Sequence, residues 1–550
     1  MYVGAIDQGT SSTRFMIFDR SGSVVSSDQR EHEQHYPGQG LVEHDATEIW
    51  QRTQECVAGA LKKAKLKAEQ LSAVGVTNQR ETTLVWRKST GEPYHNAIVW
   101  NDVRTADIAK ELEGGKGPDR FRSKTGLPLA TYFSATKLLW LIRNVPGLEE
   151  DLKKGEALFG TIDTWLLYNL TGGTNGGIHV TSVCNASRTL MMNLKTLQWD
   201  ETLLKSLGIP KACLPEIKSN SEVYGHGAKG GYLEGVPIAG ILGDQQAAMF
   251  GQACFSPGEV KSTYGTGNFI MMNTGTEPKP SKNGLLTTVG YKLGEKEECV
   301  YALEGAVATC GSAVQWLRDQ LKIIMDAPQS QILAESVPDN GGMYFVPAFS
   351  GLFAPRWDSS ARGVFCGLTA YNSKAHFCRA TLEAVAYQAR EVIDAMGQDS
   401  GVTLSRIKVD GGMTANDLVM QFQADIIDTP VTRPVVPETT ALGAAYAAGL
   451  AVGVWKDLEE IRAQWKMDKQ WTSKMGNKER EKYWNGWNKA VSKSVGWEGP
   501  STSHSSSSGG LGTLGWFAAT VVVGAAAATA GWMMGKGKRI KILGGKITIE

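Results

Sequence analysis

The sequence predicts an α/β protein of two similar halves, on three observations. The chain has 550 residues, which is too long for one hydrophobic core. The apolar runs 3–6 and 15–18 flank a short polar loop that contains a glycine, a pattern typical of a β-hairpin. Residues 260–272 repeat this order of strand, Thr/Gly turn and strand. Because each hairpin begins a large α/β segment, we expect two domains, at 1–245 and 246–498, with a phosphate ligand held between them.

The overall charge favours a small substrate over a nucleic acid. Lysine and arginine number 57 against 56 aspartates and glutamates, so the net charge is +1 and no global field attracts a polyanion. The eight cysteines show no CxxC spacing, and the first residues lack the basic and apolar regions of a signal peptide. We therefore expect a reducing compartment.

The turn of the first hairpin has the groups that bind phosphate. Thr10, Ser11 and Ser12 offer hydroxyls beside unpaired backbone N–H groups, and Arg14 adds a fixed positive charge. Asp7 ends the first strand and would repel phosphate unless a cation lay between them. It is therefore a candidate partner for Mg²⁺, through water. From the pattern alone, an ordinary polar turn is an equally good interpretation.

The next segments place polar side chains where a buried strand ends. A helix is expected over 45–67 with Asp45 as its cap, followed by a strand that leads to Arg80 and Glu81. This pair offers a donor fork and a carboxylate, which the hydroxyls of a polyol require. An exposed ion pair is the alternative. Tyr132, just before another helix, could face a cleft or pack in the core.

Asp244 is the candidate for chemistry in the middle of the chain. It follows the apolar strand 236–243 and lies beside the start of a helix, the usual place for ligand chemistry in α/β sheets. A role as helix cap is the alternative. The repeated hairpin at 260–272 is then a second phosphate-binding turn. The GxGxxG spacing at 225–230 is not a dinucleotide site, because no helix can follow it.

Three patterns near the end of the folded part complete the expectation. The strand 406–410 breaks on Gly411 and Gly412, which allows the backbone to approach a flat base closely. Residues 438–446 open a helix of small residues suited to close packing. The Trp- and Lys-rich segment 467–497 is expected to be a closing amphipathic helix.

Taken in order, six motifs resemble the FGGY carbohydrate kinase family over about residues 1–490. They are Asp7-Gln8-Gly9-Thr10, Asn78-Gln79-Arg80-Glu81, Tyr132-Phe133-Ser134-Ala135-Thr136-Lys137, Gly243-Asp244-Gln245-Gln246, Tyr264-Gly265-Thr266-Gly267 and Asp410-Gly411-Gly412. The resemblance implies two ribonuclease-H-like domains of the actin-like ATPase superfamily, with a cleft between them that closes on the substrate and MgATP.

The resemblance also implies an activity and a set of site residues. The activity is ATP-dependent phosphorylation of glycerol to sn-glycerol 3-phosphate, with Asp244 as general base and ATP and Mg²⁺ as cofactors. The implied glycerol contacts are Arg80, Glu81, Tyr132, Asp244, Gln245 and Phe269. The implied nucleotide contacts are Thr10, Ser11, Ser12, Arg14, Thr266, Gly311, Gln315, Gly412 and Asn416.

Two other classes of function stay open on the sequence. Another FGGY sugar kinase would share both hairpins and Asp244, and its substrate would be a larger sugar such as xylulose or gluconate. A non-catalytic scaffold tethered to a membrane is the second alternative, although no expected catalytic position is missing.

The C-terminal tail predicts attachment to a membrane. A Ser/Gly linker at 499–510 precedes the charge-free segment 511–534, which as a helix would be roughly 36 Å long and could span a bilayer. Trp516 and Trp532 lie near its ends, and the basic tail 535–550 follows. The segment resembles a tail anchor of the mitochondrial outer membrane. We expect cytoplasmic catalytic domains and a homodimer or homotetramer. A buried or disordered appendage is the alternative for the tail.

Overall fold

The computed structural model describes residues 1–402, 404–497, 540–543 and 546–549. The chain divides into a unit of residues 1–499 and a unit of residues 500–550. In this described part, none of the helices combines the length and the apolar character needed to cross a membrane. The segment 511–534, predicted to be an apolar helix, and the linker 499–510 lie outside the described residues.

The first half of the chain alternates strands and helices up to the helix that begins at Asp244. Its described strands are β1 (Tyr2–Gln8), β2 (Ser12–Asp19), β3 (Val24–Glu31), β4 (Glu43–His44), β5 (Leu71–Asn78), β6 (Thr83–Arg87), β7 (Ala97–Ile98), β8 (Ala157–Thr161), β9 (Val180–Ser182), β10 (Met192–Asn193), β11 (Gln198–Trp199), β12 (Glu216–Lys218), β13 (Ser221–His226) and β14 (Pro237–Gly243). Its described α-helices are α1 (Ala46–Ala64), α2 (Ala106–Glu113), α3 (Arg122–Thr125), α4 (Ser134–Asn144), α5 (Leu148–Lys154), α6 (Ile162–Leu170), α7 (Val183–Ala186), α8 (Glu201–Leu207) and α9 (Asp244–Gly251).

The second half begins with the second hairpin. Its described strands are β15 (Val260–Tyr264), β16 (Asn268–Gly275), β17 (Leu286–Lys292), β18 (Cys299–Val307), β19 (Tyr344–Val346), β20 (Val364–Cys366), β21 (Ile407–Asp410), β22 (Val431–Pro434) and β23 (Met467–Trp471). Its described α-helices are α10 (Gly311–Asp319), α11 (Ala327–Glu335), α12 (Lys374–Ser400), α13 (Asp417–Ile427), α14 (Thr439–Ala451), α15 (Leu458–Gln464) and α16 (Asn477–Ser494). Beyond them, β24 (Ile540–Leu543) pairs with β25 (Lys546–Ile549) in an antiparallel ribbon.

The two large sheets repeat one arrangement, which confirms the predicted duplication. The first sheet has the order β13-β14-β5-β1-β2-β3 and the second the order β17-β18-β16-β15-β21-β22-β23. In each sheet the hairpin and the strand beyond it are antiparallel. Two parallel strands then lie beside the hairpin, and an antiparallel strand forms the edge. Both predicted hairpins are therefore the central elements of a sheet.

Helices α9 and α14 lie between the two sheets. Their apolar side chains form one core with residues of the first sheet, such as Val3 and Ala5, and of the second sheet, such as Met271. The outer face of the first sheet packs on α1 and α6, and the outer face of the second packs on α10, α12 and α13. Since α14 comes late in the chain, the second half contributes a helix to the face of the first sheet. The predicted boundary between 245 and 246 falls within α9 and stays a prediction.

Small residues let α14 approach its neighbours at backbone distance, as the sequence predicts. A Cβ atom at Gly443 would overlap the carbonyl oxygen of Ala247 on α9, and one at Gly251 would overlap the carbonyl of Thr439. A Cβ atom at Gly240 would lie 2.6 Å from the backbone nitrogen of Ala448. The two helices and the sheet are therefore in direct backbone contact, without side chains between them.

The sequence-based expectation for 467–497 is partly wrong. Met467–Trp471 is not helical but forms β23, the edge strand that pairs with β22, and Trp471 is buried in the core of the second half. The helix begins only at Asn477, after Gly476. Strand pairing outweighs the helical pattern here, because β23 covers β22, which would otherwise be the open edge of the sheet.

We predict that Gly443→Ala lowers the free energy of unfolding by about 3 kcal/mol, because the new Cβ must push apart α9 and α14. Urea denaturation followed by circular dichroism would measure the change. Gly397→Ala is the matched control, since Gly397 lies within α12 and has no neighbouring atom within 4 Å of an added Cβ. It should be neutral or stabilising by about 0.5–1 kcal/mol. Equal stability of the two variants would contradict the close contact.

Candidate active site

The turn of the first hairpin presents backbone donors. Gly9 N–H donates to the carbonyl of Ser12 at 2.9 Å and closes the turn. The N–H groups of Thr10 and Ser11 have no acceptor within the described part of the chain. Trp100 Nε1 donates to Thr10 Oγ1 at 2.9 Å, and Gln29 Nε2 donates to Ser12 Oγ at 2.9 Å. Both hydroxyl protons are therefore available to an anion.

Arg14 and Asp7 face each other across this hairpin, where they are paired in register. Arg14 Nε is buried and has no hydrogen-bond acceptor among the described residues. Since buried donors are normally paired, this N–H is a candidate donor to a bound ligand. Burial, opposed by Arg14 and reinforced by the nearby Asp244, raises the pKa of Asp7 to about 6. A neighbouring cation would stabilise the ionised carboxylate of Asp7, which is the form that its expected role beside Mg²⁺ requires.

The second hairpin forms one wall of a cavity of about 410 Å³. Gly311 N–H donates to the carbonyl of Gly265 at 3.0 Å, which seats the start of α10 on the turn. The volume lies within the range of small-molecule sites. The cavity brings together every expected nucleotide contact of the second half with the apolar side chains of Val314 and Met413. The expected contacts are Thr266, Gly311, Gln315, Gly412 and Asn416.

Arg80 and Glu81 form a tight buried turn between β5 and β6. Only 3% of Arg80 and 1% of Glu81 is exposed, so the alternative of an exposed ion pair is wrong. Glu81 has a φ of 60°, which is unfavourable for a residue with a side chain. Ser134 Oγ donates to the Glu81 carbonyl at 3.1 Å, and Arg188 Nε donates to the Glu81 carboxylate at 2.6 Å. These contacts hold the strained backbone in place.

A buried cluster of charges joins the two halves at this point. Glu304, on β18 of the second half, accepts hydrogen bonds from both terminal nitrogens of Arg80, at 2.6 and 2.7 Å. Arg188 Nη1 lies 3.2 Å from Glu304 Oε2. Arg80 Nε in turn lies 3.1 Å from Asp244 Oδ1. The guanidinium of Arg80 thus links Glu304 on β18 of the second half to Asp244 at the start of α9.

The charges in this cluster stabilise one another against burial. Burial alone would raise the pKa of Glu304, but Arg188 and Arg80 lower it to about 2. Burial lowers the pKa of Arg80, yet Glu304 and Glu81 raise it well above its ordinary value. Glu81 is different, because burial outweighs its arginine partners and raises its pKa. Glu304 is therefore firmly ionised and fixes Arg80.

Aromatic rings line the other side of this region. The ring of Trp100 lies 5.7 Å from that of Tyr132 and 6.2 Å from that of Phe269, in edge-to-face contacts. Tyr132 comes from the loop before α4 and Phe269 from the second hairpin. Tyr132 is half-buried. These three rings supply an apolar surface with one hydroxyl.

Asp244 and Gln245 begin α9, with Gly243 at the cap position. The Asp244 side chain is 32% exposed, so a substrate can reach it. Gln245 Oε1 accepts a short hydrogen bond from the buried Lys261, which also donates to Thr263 Oγ1 at 3.0 Å and to the carbonyl of Phe269 at 3.2 Å. Burial lowers the pKa of Lys261 to about 8. This lysine ties α9 to the second hairpin.

Four residues of the site lay outside the sequence-based expectation: Arg188, Glu304, Trp100 and Lys261. Glu304 is 224 positions from Arg80 in the chain, so no local pattern could pair them. A signal did exist, because Glu304 is a lone carboxylate within the otherwise apolar β18. A buried acid without a partner nearby in sequence indicates a partner from elsewhere.

Both halves of the chain match domains of one known family. Residues 2–251 match the N-terminal domain of the FGGY family of carbohydrate kinases, and residues 260–452 match the C-terminal domain of that family. A protein of Streptomyces avermitilis named glycerol kinase 2 is 60% identical over 496 residues, which cover 90% of this chain and 97% of that protein. A glycerol kinase of a Roseiflexus species is 58% identical and covers 90% of this chain and 99% of its own length.

A solved structure agrees with the fold. The crystal structure of Plasmodium falciparum glycerol kinase with ADP superposes with a TM-score of 0.85 at 40% identity, over 90% of this chain and 98% of that one. The two-domain arrangement of strands and helices is therefore shared.

We predict that Glu304→Gln lowers the free energy of unfolding by about 3 kcal/mol, because it removes the carboxylate that neutralises Arg80 and Arg188 in the interior. Chemical denaturation at pH 7 would measure it. Glu277→Gln is the control: Glu277 is 82% exposed and its lysine partner lies 3.6 Å away, so the change should stay within about 0.5 kcal/mol. A loss for Glu304→Gln no larger than that of the control would contradict the role of the cluster.

Proposed function

The chain belongs to the FGGY family of carbohydrate kinases, and from this premise we propose that it transfers the terminal phosphoryl group of ATP to glycerol. The product is sn-glycerol 3-phosphate. The observation that carries the proposal is the meeting of Arg80, Asp244 and the aromatic rings in one place, between two hairpins of phosphate-binding character.

The chemistry of this place suits a short polyol. Glycerol has three hydroxyls on a three-carbon chain, so it needs several polar partners and a small apolar surface. Arg80 Nη2 carries a second proton beside the one that it donates to Glu304, so Arg80 is the proposed donor to a glycerol hydroxyl, and Glu81 is the proposed acceptor. Phe269 and Trp100 offer ring surfaces to the carbon chain, and the Tyr132 hydroxyl adds a further polar atom. Gln245, held by Lys261, completes the proposed glycerol contacts.

Asp244 is the proposed general base. Its carboxylate is accessible, and its contact with Arg80 Nε fixes its orientation. As a glycerol oxygen attacks the γ-phosphorus, Asp244 accepts the hydroxyl proton. The bond between the γ-phosphorus and the β,γ-bridging oxygen breaks in line, and ADP leaves with that electron pair. Phosphoryl transfer depends mostly on alignment and charge, so the base supplies only part of the acceleration.

The two hairpins hold the phosphates in this proposal. Thr10, Ser11 and Ser12 donate from one side, Thr266 from the other, and the unpartnered Nε of Arg14 meets the developing charge. The residues present also fit Mg²⁺, because Asp7 is an acidic side chain beside the phosphate turn and its pKa is raised by burial. Asp7 would hold the ion through water, and the ion would neutralise phosphate charge.

The cavity of the second half holds the nucleoside. Gly412 follows Gly411 after β21, so the backbone of this turn can lie against a flat base. Gln315 and Asn416 line the same cavity, and so do Gly311 and Gly265, which are joined by a backbone hydrogen bond. Closure of the two halves on the substrates would exclude water, the competing acceptor of the phosphoryl group.

We also propose that the tail attaches these catalytic domains, placed in the cytoplasm, to a membrane, with the mitochondrial outer membrane as the candidate. The support is the charge-free segment 511–534, which has a tryptophan near each end and is followed by lysines. The proposed assembly is a homodimer or homotetramer, which light scattering of the purified protein would distinguish.

The central experiment measures ATP consumption by the purified protein with glycerol, xylulose, gluconate or no acceptor. We expect strong turnover only with glycerol, and glycerol 3-phosphate as the product by mass spectrometry. Turnover only with xylulose or gluconate would keep the fold and the mechanism but overturn the substrate. No ATP turnover with any acceptor would favour a scaffold.

Replacing Asp244 by asparagine should lower kcat at least about a hundredfold while the affinity for glycerol changes little, because the amide keeps the shape but cannot accept the proton. Steady-state kinetics and glycerol titration by calorimetry measure the two quantities separately. The control is Asp119→Asn, on an exposed carboxylate paired with Arg122. A kcat near that of the control would remove Asp244 from the role of base.

Flotation with liposomes of outer-membrane composition tests the tail. The full chain should float with the vesicles, while a chain that ends at 499 should stay in the dense fraction with unchanged kinase activity. A full chain that remains in the dense fraction would refute membrane attachment.

A further inference from the structure

The turn of the first hairpin, residues 9–11, is called the phosphate turn below. Side-chain amides hold its carbonyl groups from the side opposite its N–H groups. Gly9 O accepts from Gln8 Nε2 at 2.8 Å and from Gln79 Nε2 at 3.2 Å. Thr10 O accepts from Gln34 Nε2 at 3.0 Å. The turn contains only three residues between two strands, yet side-chain amides from three separate segments converge on its carbonyls.

A buried histidine joins two of these amides. His44 is 0% exposed, and its Nε2 lies 2.9 Å from Gln34 Oε1. Its Nδ1 lies 3.2 Å from Gln79 Nε2. Because an amide oxygen only accepts and an amide nitrogen only donates, Nε2 must carry the proton and Nδ1 must be the acceptor. Both contacts are satisfied by the neutral ring and by one tautomer.

The surroundings keep this ring neutral. Burial, together with the neighbouring His32 and His35, lowers the pKa of His44 to about 3. A second proton on Nδ1 would face the Gln79 amide donor, so the charged form also loses a hydrogen bond. The neutral ring therefore keeps its hydrogen bonds with both Gln34 and Gln79.

We propose that Gln34, His44 and Gln79 are positioning residues that aim the phosphate turn at the nucleotide. The reason is the geometry of the peptide unit, whose C=O and N–H groups point in opposite directions in one plane. The Gly9 carbonyl shares its peptide with the Thr10 N–H, and the Thr10 carbonyl shares its peptide with the Ser11 N–H. Hydrogen bonds that fix the two carbonyls therefore fix the two N–H groups facing away from them, toward the cleft.

This inference rests on the proposed function and deepens it. Without the amides, each peptide of a glycine-containing turn could rotate and present its carbonyl oxygen to the phosphate, which repels it. Preorganised donors avoid this reorganisation when the charge develops. The three residues act through the turn and do not touch the nucleotide themselves, so the loss should appear in nucleotide affinity and in kcat and not in glycerol affinity.

The test compares three variants of the full chain by steady-state kinetics and by calorimetric titration with MgADP. Gln34→Leu removes the donor to Thr10 O at nearly unchanged size, and KM for MgATP should rise about tenfold with KM for glycerol within about twofold. Gln34→Glu places a carboxylate oxygen against that carbonyl and should weaken MgADP binding more. Gln51→Leu is the control, because Gln51 is exposed on α1 and, among the described residues, its side chain hydrogen-bonds only to Glu55.

The outcomes separate this inference from its premise. Equal nucleotide affinity in Gln34→Leu and Gln51→Leu would overturn the positioning role. A parallel loss of glycerol and nucleotide affinity would also overturn it, because general loosening of the fold would then explain the result. Thermal melts identify a variant that does not fold, and Gln34→Asn, whose shorter amide cannot reach Thr10 O, then replaces it. A wild-type chain without glycerol-dependent turnover would refute the proposed substrate, while MgADP titration of the same variants would still decide the positioning role.

Discussion

The backbone contact between α9 and α14 fixes the distance between these two helices, which lie between the two large sheets. Two helices approach this closely only where both lack side chains at the crossing, and Gly251 and Gly443 meet that condition from opposite sides. The contact lies between the two sheets, so it sets how near the halves come. It also sets the place of Asp244, because that residue begins α9. The same contact between α9 and α14 therefore stabilises the fold and sets the position of the proposed base.

The site itself needs both halves. Arg80 contacts Asp244 through one nitrogen and Glu304 of the second sheet through the other two. Removing water from so many charges is costly, and mutual pairing offsets that cost only when every partner is present. The cluster is therefore a test of correct assembly: a chain whose halves are misplaced would leave charges buried and unpaired. The strained backbone of Glu81 depends on the second half indirectly, because Arg188, which holds the Glu81 carboxylate, is itself paired with Glu304.

Local patterns allowed much of this to be predicted. The two hairpins, the strand before Asp244 and the small-residue helix α14 each have a periodicity or a turn that a short window of sequence contains. The partners of these elements could not be found in that way. Glu304, Arg188 and Trp100 belong to the site only because distant strands meet, and tertiary contact has no signature within one window. The strand β23 could not be predicted for a related reason. Its conformation is decided by pairing with β22 and not by its own composition.

The position of α14 has a mechanical consequence. The chain passes from the first sheet to the second after α9, returns between β22 and α14, and passes back between α14 and β23. Rotation of the two halves about these crossings would displace the nearby residues least and the distant edges of the cleft most. Asp244 lies at the start of the helix next to the first crossing, while the phosphate turns lie at the strand ends that line the cleft. Opening would thus admit a nucleotide while Asp244, the proposed base, keeps its contact with Arg80.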